Sequence, residues 1–153
     1  MADDGRRKLI LNGVVTQLQT ATGASYFYDY SSGVVTLLNE PIEERVSSTH
    51  PVQIRVYDGN ESTTVVDFNN AHSVLDVRLR VTVRAEQVAL MTAVQNVLAD
   101  ISRVIGAGNE LGGPSTVVQL DSVEAPSYEF SNRVAVIVVH LRAEYTFVPG
   151  TDT

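Results

Sequence analysis

Val74-Leu75-Asp76-Val77-Arg78-Leu79-Arg80-Val81-Thr82-Val83-Arg84 alternates with a period of two. Leu75, Val77, Leu79, Val81 and Val83 point one way, while Asp76, Arg78, Arg80, Thr82 and Arg84 point the other. That is the pattern of a half-buried strand. Its register is strongly specified, because a one-residue slip would bury the charges. The strand runs directly into a segment of a different period. From Glu86 to about Ile105, the residues Leu90, Val94, Val97, Leu98, Ile101, Val104 and Ile105 form a broad apolar stripe. Thr92, Gln95, Asn96, Asp100 and Arg103 make the opposite, polar side, so the spacing predicts an amphipathic helix.

Downstream, the Gly-rich stretch Gly106–Pro114 ends that helix and Thr116–Val123 reads as a weaker strand. Glu124–Asn132 reads as a loop or hairpin connection. Arg133–Phe147 is then a strong closing strand. It begins with the run Val134–Val139, apolar on both faces, and then alternates Val139, Leu141, Ala143, Tyr145 and Phe147 against His140, Arg142, Glu144 and Thr146. Upstream, Val52, Ile54 and Val56 alternate with Gln53, Arg55 and Tyr57, and Asp58-Gly59-Asn60 reads as the hairpin turn that follows. Glu40–Pro51 is loop-like, Val34–Leu38 a short strand, Ser31-Ser32-Gly33 a turn and Tyr26–Tyr30 an extended segment. A first helix is predicted from about Arg6 to Gln19, with Leu11, Val14, Val15 and Leu18 on one face. Asp3 or Asp4 is its expected cap, and Gly23 its expected left-handed end.

The order is helix, strands, helix, strands, and each element has one apolar side to cover. An α+β fold follows: a mostly antiparallel β-sheet with two α-helices packed on one face. One domain over residues 1–153 with flexible polar termini is expected. The second apolar face of Val134–Val139 needs a cover too, either extra structure within the monomer or, the preferred expectation, a neighbouring subunit.

With no cysteine among 153 residues, disulfides, thiolate metal sites and cysteine nucleophiles are excluded. A net charge of −7, from 18 acidic and 11 basic side chains, argues against binding nucleic acid by long-range attraction. The basic run Arg6-Arg7-Lys8 is not followed by a signal-peptide stretch, and no apolar run reaches the length of a membrane span.

No catalytic, cofactor-binding or metal site is expected. His50, His72 and His140 lack metal-ligand spacing. Asp58-Gly59-Asn60-Glu61 lacks the length and flanking helices of a calcium loop. The glycines of 106–113 lack the lysine and hydroxyl of a phosphate loop and follow a helix instead of opening one. Ser31, Ser32, Ser47 and Ser48 sit in no nucleophile elbow. Two surfaces stand out. Asp76, Arg78, Arg80 and Arg84 make a charged stripe, same-face neighbours lying about 6.6 Å apart, and Arg142 and Glu144 could share its face. The stripe reads either as a solvated face with cross-strand ion pairs or as a subunit contact or ring lining. A nucleic-acid site is a minor third reading, because no aromatic side chains are interleaved. Tyr26, Tyr28 and Tyr30, in the run Tyr26-Phe27-Tyr28-Asp29-Tyr30, read either as core packing or as rings that meet a partner.

Taken together, the N-terminal amphipathic helix, the strand through Pro51-Val52-Gln53-Ile54-Arg55-Val56-Tyr57-Asp58-Gly59, the Val74–Arg84 strand feeding the Glu86–Ile105 helix, and the closing strand ending Leu141-Arg142-Ala143-Glu144-Tyr145-Thr146-Phe147 resemble the tail terminator proteins of long-tailed bacteriophages. The resemblance spans nearly the whole chain and rests on order, length and pattern, not on a short motif. It implies a non-enzymatic virion protein that forms a homo-oligomeric, hexameric ring on the tail tube, stops tube growth and joins tail to head. The implied partners are other copies of the chain, the tail tube protein, a neck or head-completion protein and the tape-measure protein. DNA would only pass through the channel, with no membrane involved. The implied location is the neck end of the tail, after assembly in the host cytoplasm. Arg78, Arg80, Arg84 and Arg142 become candidates for ring or channel contacts, and the Gly106–Pro114 and Glu124–Asn132 loops for axial contacts. Another phage neck connector and a small-ligand or enzymatic domain are the competing readings.

Overall fold

The computed structural model describes residues 2–30, 34–38, 46–47, 49–107, 111 and 116–148. The expected Ser31–Gly33 turn, most of the 40–51 loop and most of the 106–114 connection lie outside the described residues. Helix α1 (Ala2–Gln19) and strand β1 (Val35–Leu37) are followed by the long strands β2 (Val52–Val65) and β3 (Ala71–Arg84). After a 3-10 turn at Gln87–Ala89 come helix α2 (Leu90–Gly106), β4 (Thr116–Val123), the short β5 (Ser127–Glu129), a second 3-10 turn at Phe130–Asn132 and β6 (Val134–Phe147). The sheet order is β1-β2-β3-β6-β4, with β5 also paired to β6. Every pairing is antiparallel except that of β1 with β2. Both helices pack on the same face, α1 over β1 and β2, α2 over β3, β4 and β6, and touch each other. The expected α+β architecture is therefore the observed one.

Alternation explains why the core sits where it does. Leu75, Val77, Leu79, Val81 and Val83 of β3 are buried under the helices, flanked by Ile54 and Val56 of β2 and by Ile137, Val139 and Leu141 of β6. The eight buried residues of α2 include Leu90, Val94, Val97, Ile101, Val104 and Ile105. By length and hydropathy Gln87–Gly106 could cross a membrane. Its apolar side lies in the core instead, as in the core helix of a globular domain.

Five local readings need correction. Helix α1 begins at Ala2, so the expected capping position falls inside its first turn. Its buried line is Ile10, Val14 and Leu18, spaced by four, with Leu11 and Val15 only half-buried at the margin. Gly23 is left-handed (φ 89°), but the helix has already closed at Gln19, where Thr20 and Ala21 donate back to the carbonyls of Gln17 and Leu18 at 3.1 Å.

Asp58-Gly59-Asn60 is not a hairpin turn. Strand β2 runs through it to Val65, and the turn lies at 66–70, where Val66 and Asp67 donate to the carbonyl of Asn70. Between Asp58 and Glu61 the strand carries one residue more than β3 opposite, which is a β-bulge. Glycine leaves room here for the ion pair that crosses it: a Cβ on Gly59 would lie 2.6 Å from Asp76 Oδ2 and 2.8 Å from Arg78 Nε, so both side chains would have to shift. Finally, the 26–30 run is not an extended strand: Tyr26, Phe27 and Tyr28 are bends, and Asp29 and Tyr30 follow without regular structure.

Candidate functional site

The face of the sheet away from the helices carries the expected charged stripe. On β3 the side chains alternate buried and half-buried, with Arg80 exposed. The register sets Asp76 beside Arg142, Arg78 beside His140, Arg80 beside Val138, Arg84 beside Val134 and Val74 beside Glu144. Arg78, Arg80, Arg84, Arg142 and Glu144 thus share one face across β3 and β6.

Their contacts are mostly local ion pairs. Arg78 Nε lies 2.8 Å from Asp76 Oδ2, and Arg142 Nε lies 2.5 Å from Glu144 Oε1. Asp76 also meets His140, whose Nδ1 is 3.0 Å from Asp76 Oδ1 and whose Nε2 is 2.6 Å from Glu124 Oε2. Partial burial pushes the Asp76 carboxyl up, but hydrogen bonds from Arg78 and His140 outweigh it and hold the group below the usual carboxylate range. Water and salt screen pairs of this kind, so they organise the face more than they stabilise the fold. Beside them, Val134, Val136 and Val138 leave a half-exposed apolar strip on β6.

The tyrosines divide. Tyr30 is 1% exposed and donates its hydroxyl to Asp100 Oδ2 at 2.8 Å. The Phe27 amide donates to the same carboxylate at 3.0 Å. Asp100, expected on the polar side of α2, is 2% exposed and faces this segment. It lies three residues after Val97 and four before Val104, so helical spacing already set it within the apolar stripe. Tyr28 is half-buried, edge-on to Tyr30 at 6.4 Å between centroids. Tyr26 is half-buried under the Arg103 guanidinium, 5.9 Å from the ring centre, and Arg103 also donates to the Ser25 carbonyl. Burial first, and then the Asp100 bond, raise the Tyr30 phenol far above its ordinary range. The bends of 21–30 are thereby clipped to α2, presenting Phe27 62% exposed.

A second polar cluster went unread in the sequence. Arg6 is buried between α1 and the sheet, where its Nη1 donates to Thr116 Oγ1 at 3.1 Å and its guanidinium lies 5.6 Å from the Tyr145 ring centre. Tyr145 donates to Glu61 Oε1 at 2.9 Å, and Arg7 reaches Glu61 at 3.3 Å and Asp58 at 3.2 Å. Arg6 stands four residues before Ile10 on the buried line of α1. That spacing was the signal available.

Among the described residues, no group of three or more His, Asp or Glu side chains could hold a metal ion. His50 lies in a surface turn, where Ser47 donates to its carbonyl at 2.9 Å, and His72 is half-buried at the start of β3. An open groove of about 660 Å³ between α1 and β1–β2, lined by Arg7, Lys8, Leu11, Leu37, Leu38 and Tyr57 among others, lacks the enclosed, converging polar groups of a small-molecule site.

No family model matches the chain, and no curated protein matches it. Among solved structures, it is similar to a chain described as from the virion of a native gene transfer agent particle, at 15% sequence identity and a TM-score of 0.56. The match covers 91% of this chain and 96% of that one. The two share a fold over almost their full lengths.

Proposed function

We propose that this chain is a structural virion protein, assembling with copies of itself into a ring that caps a phage-type tail tube, ends its growth and offers a surface to the neck. The observation that carries this reading is the shared fold, at nearly full length on both sides, with a chain of a gene transfer agent virion. The tail-terminator resemblance of the sequence points the same way.

The outer sheet face suits a subunit contact. Val134, Val136 and Val138 form an apolar strip next to Arg80 and Arg84, with the Arg78–Asp76 and Arg142–Glu144 pairs around it. Among the described residues, strands β1 and β4 end the sheet with unshared edges. A ring needs a heterologous contact that closes after a fixed rotation, and such faces and edges can supply one. Tyr26, Tyr28 and the exposed Phe27 are further candidate contacts, whereas Tyr30 supports them from the core. The 124–132 connection is the candidate axial surface that the structure describes.

The test is native mass spectrometry of the purified protein over a range of concentration and ionic strength, followed by electron microscopy with isolated tail tubes. A closed hexamer and caps on tube ends are expected. A chain that stays monomeric under every condition and leaves tube ends free to grow would overturn the reading. Binding to portal or neck complexes, with tube ends ignored, would favour a neck connector.

A further inference from the structure

The outer face also holds a group that the proposed assembly does not use. His140, on β6, stands between two carboxylates, with Nδ1 3.0 and 3.3 Å from the Asp76 oxygens and Nε2 2.6 Å from Glu124 Oε2. A carboxylate is an acceptor, so filling both contacts requires a proton on each ring nitrogen. Neutral imidazole carries only one. Its remaining lone pair would then face a carboxylate oxygen at hydrogen-bonding distance, which is repulsive.

Which contact yields is set by position. Asp76 lies within β3, is also held by Arg78 at 2.8 Å, and has a side chain 26% exposed. Glu124 lies just beyond the end of β4, and its side chain is 56% exposed. Strand β4 carries one extra residue opposite β6 between Leu120 and Ser122, so its pairing is already irregular where His140 stands. Past the bulge, Glu124 is tied to the sheet by its amide, which donates to the Val138 carbonyl at 2.9 Å, and by the His140 contact.

We propose that His140 is a protonation-dependent clasp: as imidazolium it bridges Asp76 of β3 to Glu124, pinning the β4–β5 connection at the edge of the sheet, and on losing a proton it releases Glu124 to water. The proton comes from and returns to solvent. The charged groups facing His140 are Asp76 and Arg78 from β3, Arg142 from its own strand, Asp121 from the β4 bulge and Glu124 beyond β4, with Glu61 of β2 lining the same hollow. The hydrogen bonds that the ring donates, to Asp76 first and then to Glu124, hold its pKa above the ordinary histidine range, against partial desolvation. A histidine raised in this way stabilises the fold fully below its unfolded value of about 6.5, and the contribution fades as pH climbs through the higher folded value. This inference does not depend on the proposed function.

The experiment is a side-chain ¹⁵N NMR titration of the full chain from pH 5 to 10, with amide exchange of Glu124 expressed as protection factors, in the wild type and in Glu124→Gln. This variant sits at an exposed site, and its amide can accept from imidazolium or donate to neutral imidazole. The wild-type His140 midpoint is expected above about 6.5, with protection of Glu124 falling several-fold across it. Glu124→Gln should lower the midpoint and remove that fall. A wild-type midpoint at or below the ordinary value, or the same pH dependence of protection in both proteins, would overturn the clasp.

Discussion

Asp100 shows how much one side chain can organise. It accepts the Phe27 amide and the Tyr30 hydroxyl from inside an apolar stripe. A buried donor that loses its acceptor keeps its desolvation cost, about 1–3 kcal/mol per group. Asp100→Ala strands two donors and is expected to destabilise the chain by about 2–4 kcal/mol, read from urea unfolding. Tyr30→Phe removes only one hydroxyl and should cost about 1 kcal/mol. An Asp100→Ala variant as stable as the wild type would show that the 21–30 segment does not depend on this carboxylate. The raised Tyr30 phenol has a consequence in alkali. Unfolded tyrosine ionises near pH 10, so Tyr30 supports the fold fully below that value and loses its contribution only as pH rises toward the higher folded value. In an absorbance titration, at least one of the six tyrosines should stay un-ionised until the chain unfolds. Complete ionisation in the folded protein near pH 10 would contradict the buried hydrogen bond.

At the scale of elements, α1 and β2 are joined by an unusual pairing of apolar and polar contacts. Ile10, Val14 and Leu18 are buried on the sheet, and Arg6 and Arg7 reach beyond them to Thr116, Tyr145, Glu61 and Asp58. The bulge in β2 makes this possible, since Asp58 and Glu61 stand opposite the core-facing residues Val77 and Leu75. Ile10→Ala should cost about 2–4 kcal/mol by the usual sum of lost transfer energy and residual cavity. A cost below about 1 kcal/mol would mean that α1 is not docked along this line. On the opposite face, Gly59→Ala would drive a methyl group into the Asp76–Arg78 pair. A loss of about 1 kcal/mol is expected, typical of mild overpacking. A gain in urea midpoint, as removing a strand glycine would otherwise give, would show that the pair moves aside freely.

For the whole molecule, the open question is what meets the outer face. Val136 is half-exposed on β6, opposite Ser127 of β5. Replacing it with lysine touches no buried side chain of the helix-covered core. The urea midpoint of Val136→Lys should therefore correspond to a change within about 1 kcal/mol, while any ring formed through this face falls to monomer in native mass spectrometry. A variant that keeps the ring would move the subunit contact elsewhere, to the sheet edges or the Phe27 segment. Such a result would correct the location of the interface without touching the fold.

The period-two run Val74–Arg84, the stripe of α2 and the alternating end of β6 were enough by themselves to determine the α+β class, the helix-covered face and the shared charged face. Each is a local periodicity that admits one solution once its apolar side must leave water. Tertiary structure alone decided the rest. Asp58-Gly59-Asn60 has the composition of a turn, yet it became a bulge because β3 continues alongside and two side chains cross over the glycine. Asp100 and Arg6 stood at buried helical positions, but whether a charge there is an error of phase or a paired group depends on partners far away in the chain: Tyr30 for one, Thr116 and Tyr145 for the other. His140 likewise became notable only when β3 and the end of β4 brought carboxylates to both sides of its ring. Periodicity reports which way a side chain faces; only the pairing of distant segments determines what it faces.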